Sequence, residues 1–417
     1  MIPLNNLFFS IVIPTCDRPH LLKSTLKAAL SVDYDNYEVV VSDNYSTPET
    51  YEVVKSLENH KVRYFRASHR LNMADNWQFA YQQAKGDYII ILGDDDGITK
   101  AALKRASQII QRTNVELLTW MNRPYWHPDW PTMEKNHINI GKQREVGLSL
   151  ISSLRILKLA TSLQHVAVSY FPHGSRFCFS SELGKRVCER VGRLFDNPYP
   201  DFTSGLYLLA ELMGNPYAYY TGVITFTTYS YHSNSAAFLN SRNRNVQRLN
   251  SFISEQCEPL YQYTPLKSHN LWNGHAECVL KAIEYYKNEG FDFDFDWSNY
   301  FYLCYQAIIS GHFADPSISK KTQLEEFSNA MEKQPKEIKD KFKGVKRKIE
   351  KGLLRYLITN YLNVRKRYFK IIISDYLGKR GYYLSGNRWG FSNLAELCEK
   401  LDIICDQIGF IDTFCVS

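Results

Sequence analysis

Three consecutive carboxylates, Asp94, Asp95 and Asp96, follow a short apolar run and lie between two glycines. Side chains of the same charge repel one another at this spacing, and a divalent cation relieves the repulsion. Mg2+ and similar hard cations take carboxylate and phosphate oxygens together, so this triple aspartate predicts a metal-assisted phosphate site. The alternative is a strand end whose aspartates are simply exposed to water.

Acidic residues also follow two earlier apolar runs, Asp17 after residues 8–14 and Asp43 after residues 37–41. Short apolar runs separated by stretches of helical spacing predict right-handed crossovers and a mainly parallel sheet. The predicted strands are 8–14, 37–41, 61–66, 88–92 and 115–120, and the predicted helices begin at Pro19 and near Pro48 and cover 72–84 and 99–112. Ligands of such sheets bind beyond the carboxyl ends of the strands, so we expect these acidic residues to meet at one edge.

The loop after the first predicted strand lacks the glycine-rich patterns that bind phosphate directly. Neither Gly-x-Gly-x-x-Gly nor Gly-x-x-x-x-Gly-Lys occurs there. Loops of these two kinds cradle phosphate groups with backbone amides at a helix N-terminus. Their absence from the sequence favours phosphate binding through a metal ion at the triple aspartate.

The order and spacing of four segments resemble the nucleotide-sugar-binding half of the family 2 glycosyltransferases, which have the GT-A fold. The matching segments are residues 10–18, residues 39–44, Leu71-Asn72 with Asn76, and residues 86–96. The resemblance covers residues 8–235. It implies an N-terminal α/β domain of the GT-A kind, Rossmann-like and with a mainly parallel sheet.

By this resemblance, the donor nucleotide sugar contacts residues from all four segments, and Mn2+ or Mg2+ bridges its diphosphate. The expected nucleotide-sugar contacts are Pro14, Thr15, Asp17, Arg18, Asp43, Asn72, Asp94 and Asp95, and the expected metal ligands are Asp96, Asp95 and His232. We favour a register in which Asp94 contacts the ribose and Asp96 binds the metal, with Asp95 as the competing metal ligand. A shifted register, with Gly93 in place of the family's first aspartate, is the alternative. His232 could equally be a structural residue.

The resemblance also implies a general base, which takes the proton from the acceptor hydroxyl as that oxygen attacks the anomeric carbon. In the family this base is an acidic residue at the head of a helix, well downstream of the metal motif, and Asp201 has that context. A base on the face opposite the leaving nucleoside diphosphate implies inversion at the anomeric carbon. Asp201 could instead be only an N-cap of the helix, and Asp196 is the second candidate for the base.

Residues 123–131 form a segment rich in proline and aromatic residues. This composition argues against a regular helix or strand. The Trp and Tyr rings could stack on an acceptor sugar, because these side chains combine an apolar face with a polar group. A surface loop whose rings are packed is the alternative.

The C-terminal third is predicted to be mostly helical, with helices at 243–258, 269–289, 297–311 and 322–333. We therefore place the GT-A domain at residues 1–240 and a helical region at residues 241–417. Residues 333–380 hold sixteen Lys and Arg against four Asp and Glu, and apolar residues recur at helical spacing over 342–372. Such a basic amphipathic helix binds an anionic membrane, or it packs on the protein with a solvated basic face. No motif indicates nucleic-acid binding.

The composition is that of a globular protein, with 417 residues of which 44% are hydrophobic and 22% charged. Nine cysteines without a Cys-x-x-Cys pair indicate reduced thiols and argue against a zinc site or a disulfide framework. The sequence shows neither a secretory signal nor an apolar run long enough to span a membrane. We expect a cytoplasmic protein that contacts at most the inner face of the membrane.

The sequence therefore predicts an inverting, metal-dependent glycosyltransferase. It would move a sugar from a nucleotide sugar, with a UDP-sugar favoured, to a saccharide or lipid-linked saccharide in surface polysaccharide or glycoconjugate assembly. Two other functions fit parts of the pattern: a nucleotidyltransferase, and a non-catalytic carbohydrate-binding or scaffold protein that has kept the fold. A nucleotidyltransferase should have a Gly- and Arg/Lys-rich triphosphate loop after the first strand, which the sequence lacks.

Overall fold

A computed structural model describes residues 7–141, 145–164, 170–233, 260–289, 293–311, 314–315, 317–344, 346, 383–407 and 411–412. The strands are β1 (Phe9–Thr15), β2 (Tyr37–Asp43), β3 (Val62–Arg66), β4 (Tyr88–Ile91), β5 (Gly97–Ile98), β6 (Leu117–Trp120), β7 (Tyr125–Trp126), β8 (His137–Asn139), β9 (Glu145–Val146), β10 (Leu148–Ser152), β11 (Phe177–Ser180), β12 (Pro216–Tyr220), β13 (Thr225–Phe226), β14 (Thr228–Tyr229), β15 (Tyr383–Ser385) and β16 (Ile411–Asp412). The helices are α1 (Pro19–Leu30), α2 (Pro48–Lys55), α3 (Met73–Tyr81), α4 (Ala102–Thr113), α5 (Ser153–Thr161), α6 (Ser181–Val191), α7 (Pro200–Glu211), α8 (Leu271–Tyr286), α9 (Trp297–Ser310), α10 (Lys320–Glu332), α11 (Gly386–Trp389) and α12 (Leu394–Gln407).

One eight-stranded sheet organises the molecule, in the order β10-β12-β6-β11-β4-β1-β2-β3. The strands β4, β1, β2 and β3 are parallel, as predicted. The four predicted strands of this part are confirmed nearly to the residue, and the strand predicted at 115–120 begins at Leu117. The sequence did not predict β11, which runs antiparallel between β4 and β6, or β10, which is antiparallel to β12.

The parallel strands β1, β2 and β4 are buried almost throughout, and this explains why they are mostly apolar, whereas the edge strand β3 is only partly buried. All residues of β1 are buried. Neighbouring residues of a strand point to opposite faces of the sheet. Accordingly, Ile11 and Ile13 belong to one hydrophobic core with residues of α1 and α4, whereas Val12 belongs to a second core with residues of α3 and α7.

The helices of the C-terminal region add to both cores. Ala276 of α8 and Phe301 of α9 pack in the same core as α7, while Leu394 and Leu397 of α12 pack in the core that contains α1. The helices predicted at 269–289, 297–311 and 322–333 correspond to α8, α9 and α10. The helix predicted at 243–258 and the boundary predicted at residue 240 lie outside the described residues, so the division into two domains stays a prediction.

Most of the basic amphipathic segment, 333–380, also lies outside the described residues, which include only 333–344 and 346 of it. Its first apolar residue in the predicted stripe, Phe342, is buried. The Phe342 ring packs against Tyr305 and Phe327, with ring centroids 5.3 Å apart in each pair. At this position the segment therefore packs on the helical region. Within the described ranges, no helix is both long enough and apolar enough to cross a bilayer.

Candidate active site

A cleft of about 430 Å³ opens at the carboxyl ends of β1 and β4, the edge of the sheet where ligands are expected. Pro14 and Thr15 line it from the end of β1, and the triple aspartate lines it from the loop after β4. The loop before β11 contributes residues 173–176, and α7 contributes Asp201. Two acidic groups that are far apart in the sequence therefore share one cavity.

Asp94 is fully buried and is held by the loop that joins β1 to α1. The Thr15 hydroxyl donates to Asp94 Oδ2 over 2.7 Å, and the Arg18 guanidinium pairs with both carboxylate oxygens. Arg18 Nη1 also lies 3.4 Å from Asp95 Oδ2. Burial opposes the charge of Arg18, but the carboxylates of Asp94 and Asp95 outweigh it and hold the pKa of Arg18 above its ordinary value. The charge of Asp94 is therefore balanced within the protein.

Asp96 is turned towards the loop before β11. Ser175 Oγ donates to Asp96 Oδ2, and the Thr228 backbone N–H donates to Asp96 Oδ1 over 2.8 Å. Burial, followed by the nearby Asp95 carboxylate, raises the pKa of Asp96 to about 7. Ionisation of Asp96 is therefore costly at neutral pH, and a cation at the cleft would favour the ionised form.

The carboxylates at the cleft fit a divalent ion that is shared with a substrate. Asp95 and Asp96 offer the oxygen ligands that Mg2+ and Mn2+ prefer, and Mg2+ is commonly held by one or two carboxylates together with substrate phosphates. Gly93 leaves room for the Asp96 carboxylate, because a Cβ atom at position 93 would lie 2.7 Å from Asp96 Oδ2. Among the residues that the structure describes, no three His, Cys, Asp or Glu side chains meet as a metal cage made of protein alone.

Asp17 and Asp43 lie beside the cleft rather than in its lining. Asp43 ends β2 directly opposite Thr15, and its Oδ1 accepts a hydrogen bond from the Ser46 N–H over 2.8 Å. Asp17 forms an ion pair with Arg70, whose Nη1 lies 2.6 Å from Asp17 Oδ2. The sheet thus brings both aspartates to the rim where they were expected, and their contact with a nucleotide stays a prediction.

Asn72 and His232 are also absent from the lining of the cleft. Asn72 is the N-cap of α3, and its side chain accepts from the Asp75 N–H over 2.9 Å. The His232 ring packs edge-on against His20, with ring centroids 5.3 Å apart. The packing gives His232 a structural contact, and its role as a metal ligand stays a prediction.

Asp201 lies in the first turn of α7, whose N-cap is Tyr199. The interpretation of Asp201 as an N-cap is therefore wrong. Its carboxylate lines the cleft instead, and Asp201 Oδ2 lies 3.2 Å from His173 Nε2. A carboxylate in this position is held in place by one neighbour and still faces the cavity.

Asp196, the second candidate for the base, is engaged elsewhere. Its Oδ2 accepts from the Tyr207 hydroxyl over 3.1 Å and lies 3.3 Å from Lys281 Nζ. These contacts connect α7 to α8, and Asp196 is not part of the lining of the cleft. The geometry therefore favours Asp201 over Asp196.

The N-terminal part of the chain matches the profile of a known family. Residues 10–163, which include β1 and the triple aspartate, match the family described as "Glycosyl transferase family 2". This segment is a family 2 glycosyltransferase domain. The family resemblance seen in the sequence is thereby confirmed.

Several named proteins are similar to part of this chain. The "GalNAc(5)-diNAcBac-PP-undecaprenol beta-1,3-glucosyltransferase" of Campylobacter jejuni is 30% identical over 108 residues, which cover 25% of this chain and 34% of the relative. The "UDP-Glc:alpha-D-GlcNAc-diphosphoundecaprenol beta-1,3-glucosyltransferase WfaP" of Escherichia coli is 28% identical over 87 residues, 21% of this chain and 35% of the relative. The chain thus spans about a third of the length of these two relatives. Among solved structures, S. aureus TarS 1-349 in complex with UDP-GlcNAc is similar at 14% identity and a TM-score of 0.47, covering 83% of this chain and 92% of that chain.

The cleft of the glycosyltransferase domain is completed by residues 173–176, which sequence reasoning missed. Because β11 pairs with β4, with Cys178 opposite Ile90, the residues just before β11 lie beside the triple aspartate. The Gly93 N–H donates to Ser175 Oγ over 3.1 Å. Neither residue type nor spacing marks this segment locally, so only the pairing of distant strands could reveal it.

The aromatic segment 123–131 is packed within the protein, and its tryptophans are not exposed to a sugar. Trp126 and Trp130 are 4% and 6% exposed, and both rings pack on Tyr229, with centroids 5.6 and 5.7 Å apart. Of the two interpretations that the sequence left open for this segment, packed rings are therefore confirmed for Trp126 and Trp130, because both are buried. Tyr229 itself lines the cleft and is the aromatic ring of this group that a ligand can reach.

Proposed function

We propose that this protein is an inverting, metal-dependent glycosyltransferase that moves a sugar from a UDP-sugar to a lipid-linked or polymeric saccharide in surface polysaccharide or glycoconjugate assembly. One observation carries the proposal. A single cleft, at the ligand-binding edge of a family 2 glycosyltransferase domain, is lined both by the triple aspartate and by the separate carboxylate of Asp201. Donor and acceptor chemistry need two such acidic groups, one for the diphosphate and one for the attacking hydroxyl.

The names of the relatives support the choice of donor and acceptor. The E. coli relative is named for UDP-Glc as donor and a diphosphoundecaprenol-linked sugar as acceptor, and the C. jejuni relative is named for an undecaprenol-linked saccharide. Both names specify a beta linkage. A lipid-linked acceptor also suits a protein at the inner face of the cytoplasmic membrane, which we propose as its location, with segment 333–380 in peripheral contact with anionic lipid.

The donor side is assigned to the residues at the ends of β1, β2 and β4. Pro14, Thr15, Asp17, Arg18, Asp43, Asn72 and Asp94 would contact the nucleotide sugar, and Asp95 and Asp96 would hold Mn2+ or Mg2+, with His232 as the further candidate ligand. The ion would offset the negative charge that develops on the leaving nucleoside diphosphate. Thr15 and Arg18 keep Asp94 in place by their contacts with its carboxylate.

The acceptor side is assigned to Asp201. This carboxylate would accept the proton of the acceptor hydroxyl as its oxygen bonds to the anomeric carbon and the nucleoside diphosphate departs. Attack from the face opposite the leaving group inverts the configuration at the anomeric carbon.

Release of UDP tests the proposal. The full chain is incubated with UDP-glucose or UDP-N-acetylglucosamine, Mn2+ and an undecaprenyl-diphosphate-linked sugar, and UDP is measured with and without acceptor. We expect acceptor-dependent release of UDP that stops when the metal is chelated. No release with any donor, with or without acceptor, would favour a non-catalytic carbohydrate-binding protein. Release of inorganic diphosphate from a nucleoside triphosphate would favour a nucleotidyltransferase.

Replacing Asp96 with asparagine is expected to weaken metal-dependent donor binding. The amide keeps the size of the carboxylate but removes the charge that the cation needs, so the Mn2+-dependent part of donor binding should fall by at least about tenfold. The measurement is the thermal shift produced by UDP-glucose with and without Mn2+. Glu182→Gln, which removes an exposed carboxylate on α6, is the matched control and should bind donor like the wild type. If Mn2+ strengthens donor binding in Asp96→Asn as much as in the wild type, Asp96 is not a metal ligand.

A further inference from the structure

We propose that His173 is a positioning residue for Asp201, holding the carboxylate by an Nε2–H···Oδ2 hydrogen bond in the direction of the acceptor hydroxyl. The inference rests on the proposed function, because it gives Asp201 the role of general base. It adds a residue that neither the family resemblance nor the sequence pattern indicated.

The contact itself is direct. His173 Nε2 lies 3.2 Å from Asp201 Oδ2, within hydrogen-bond range, and both side chains line the cleft. The His173 side chain is half-buried and lies beside Phe202, with ring centroids 6.2 Å apart. Phe202 is fixed in turn, because its ring stacks on His275 at 4.4 Å and 11°. The imidazole therefore lies beside an aromatic ring that is itself packed in place, and it contacts the Asp201 carboxylate.

The loop that contains His173 packs closely against α7. Gly205 of α7 faces the loop so closely that a Cβ atom there would lie 2.0 Å from the Pro172 carbonyl oxygen. Gly174 takes a left-handed conformation, with φ +61°, which turns the chain directly after His173. Ser175 then contacts both Gly93 and Asp96. One short segment thus contacts the base at one end and the triple aspartate at the other.

The protonation state of the imidazole suits this role. Burial lowers the pKa of the His173 imidazole against the opposing effect of the Asp201 carboxylate, and the Arg176 guanidinium lowers it further, which favours the neutral ring. A neutral imidazole has one N–H, and with the hydrogen on Nε2 it can donate to Asp201 Oδ2 and orient the carboxylate.

The experiment compares His173→Leu with His173→Gln in the full chain, using UDP-glucose or UDP-N-acetylglucosamine, Mn2+ and an undecaprenyl-diphosphate-linked sugar. Leucine fills the space without a donor, whereas the glutamine amide can donate from nearly the same place as Nε2. We expect His173→Leu to lower kcat by about 10- to 100-fold, the size of effect that misplacement of a catalytic group produces, with KM for the donor unchanged. His173→Gln should recover most of that loss.

Three outcomes would overturn the inference: an unchanged kcat in His173→Leu, equal losses in the leucine and glutamine variants, or a rise in donor KM that accounts for the whole loss. The melting temperatures of both variants separate unfolding from mispositioning, since a purely structural role would lower both melting temperature and donor binding. His60→Leu, at an exposed site after α2, is the matched control and should behave like the wild type. A wild-type chain that releases no UDP overturns the proposed function, and this inference with it.

Discussion

Replacing Asp201 with asparagine is expected to remove most of the sugar transfer and to leave nucleotide-sugar binding intact. The amide has the size of the carboxylate and can still accept from His173, but it cannot take up the proton of the acceptor. Loss of a general base costs about 10²- to 10⁴-fold in rate, so kcat should fall by at least about 100-fold. UDP release measures the rate, and the thermal shift with UDP-glucose and Mn2+ measures donor binding.

The matched control for Asp201 is Asp196→Asn, five residues earlier in the chain. This variant makes the same chemical change but weakens the contact with Lys281 that connects α7 to α8. It should lower the melting temperature and leave kcat within a few-fold of the wild type. If transfer is lost in Asp196→Asn and kept in Asp201→Asn, the base has been misassigned. If Asp201→Asn loses donor binding instead, Asp201 belongs to the donor site.

Replacing Gly205 with alanine is expected to destabilise the protein and to impair the active site together. The new Cβ atom would lie 2.0 Å from the Pro172 carbonyl oxygen, and because both groups are tied to the main chain, α7 and the 173–176 loop must separate. Overpacking of this kind costs about 1–3 kcal/mol of unfolding free energy. The separation also moves His173 away from Asp201, so kcat should fall in the protein that remains folded. Urea unfolding measures the unfolding free energy, and UDP release measures kcat.

Gly344→Ala is the matched control for Gly205→Ala. Gly344 is helical and a Cβ atom there meets nothing within 4 Å, so alanine should be neutral or should stabilise by about 0.5–1 kcal/mol. Its kcat should equal that of the wild type. If Gly205→Ala and the wild type have equal unfolding free energies, the loop and the helix can separate without cost. The close contact between Gly205 and Pro172 would then not set the distance between them.

The parallel half of the sheet and its acidic rim could be predicted from the sequence because their signals are local. A strand buried on both faces must be mostly apolar, as β1 and β4 are, and the chain turns polar where each strand ends. The carboxyl ends of parallel strands meet at one edge whatever the details of packing. The sequence alone therefore predicts the edge of the sheet at which the triple aspartate and Asp43 lie.

The alternatives that the sequence left open concern side chains whose surroundings come from distant parts of the chain. The tryptophans at 126 and 130 have a composition suited to sugar stacking, but Tyr229 packs against both and buries them. Asp201 has the residue type of an N-cap, yet α7 begins earlier, with Tyr199 as the cap, so the carboxylate is available to the cleft. In each case the residue type allowed two environments, and packing against a remote element selected one of them.

The amino-acid sequence alone indicated the family resemblance of the N-terminal part, the run of parallel strands and the acidic groups at their ends, because each of these depends on residues close together in the chain. The tertiary structure decided how those groups are held. Insertion of the antiparallel strand β11 beside β4 brought Ser175 to Asp96 and His173 to Asp201. A strand pairing between residues this far apart is fixed by the packing of the whole sheet, and no local spacing encodes it.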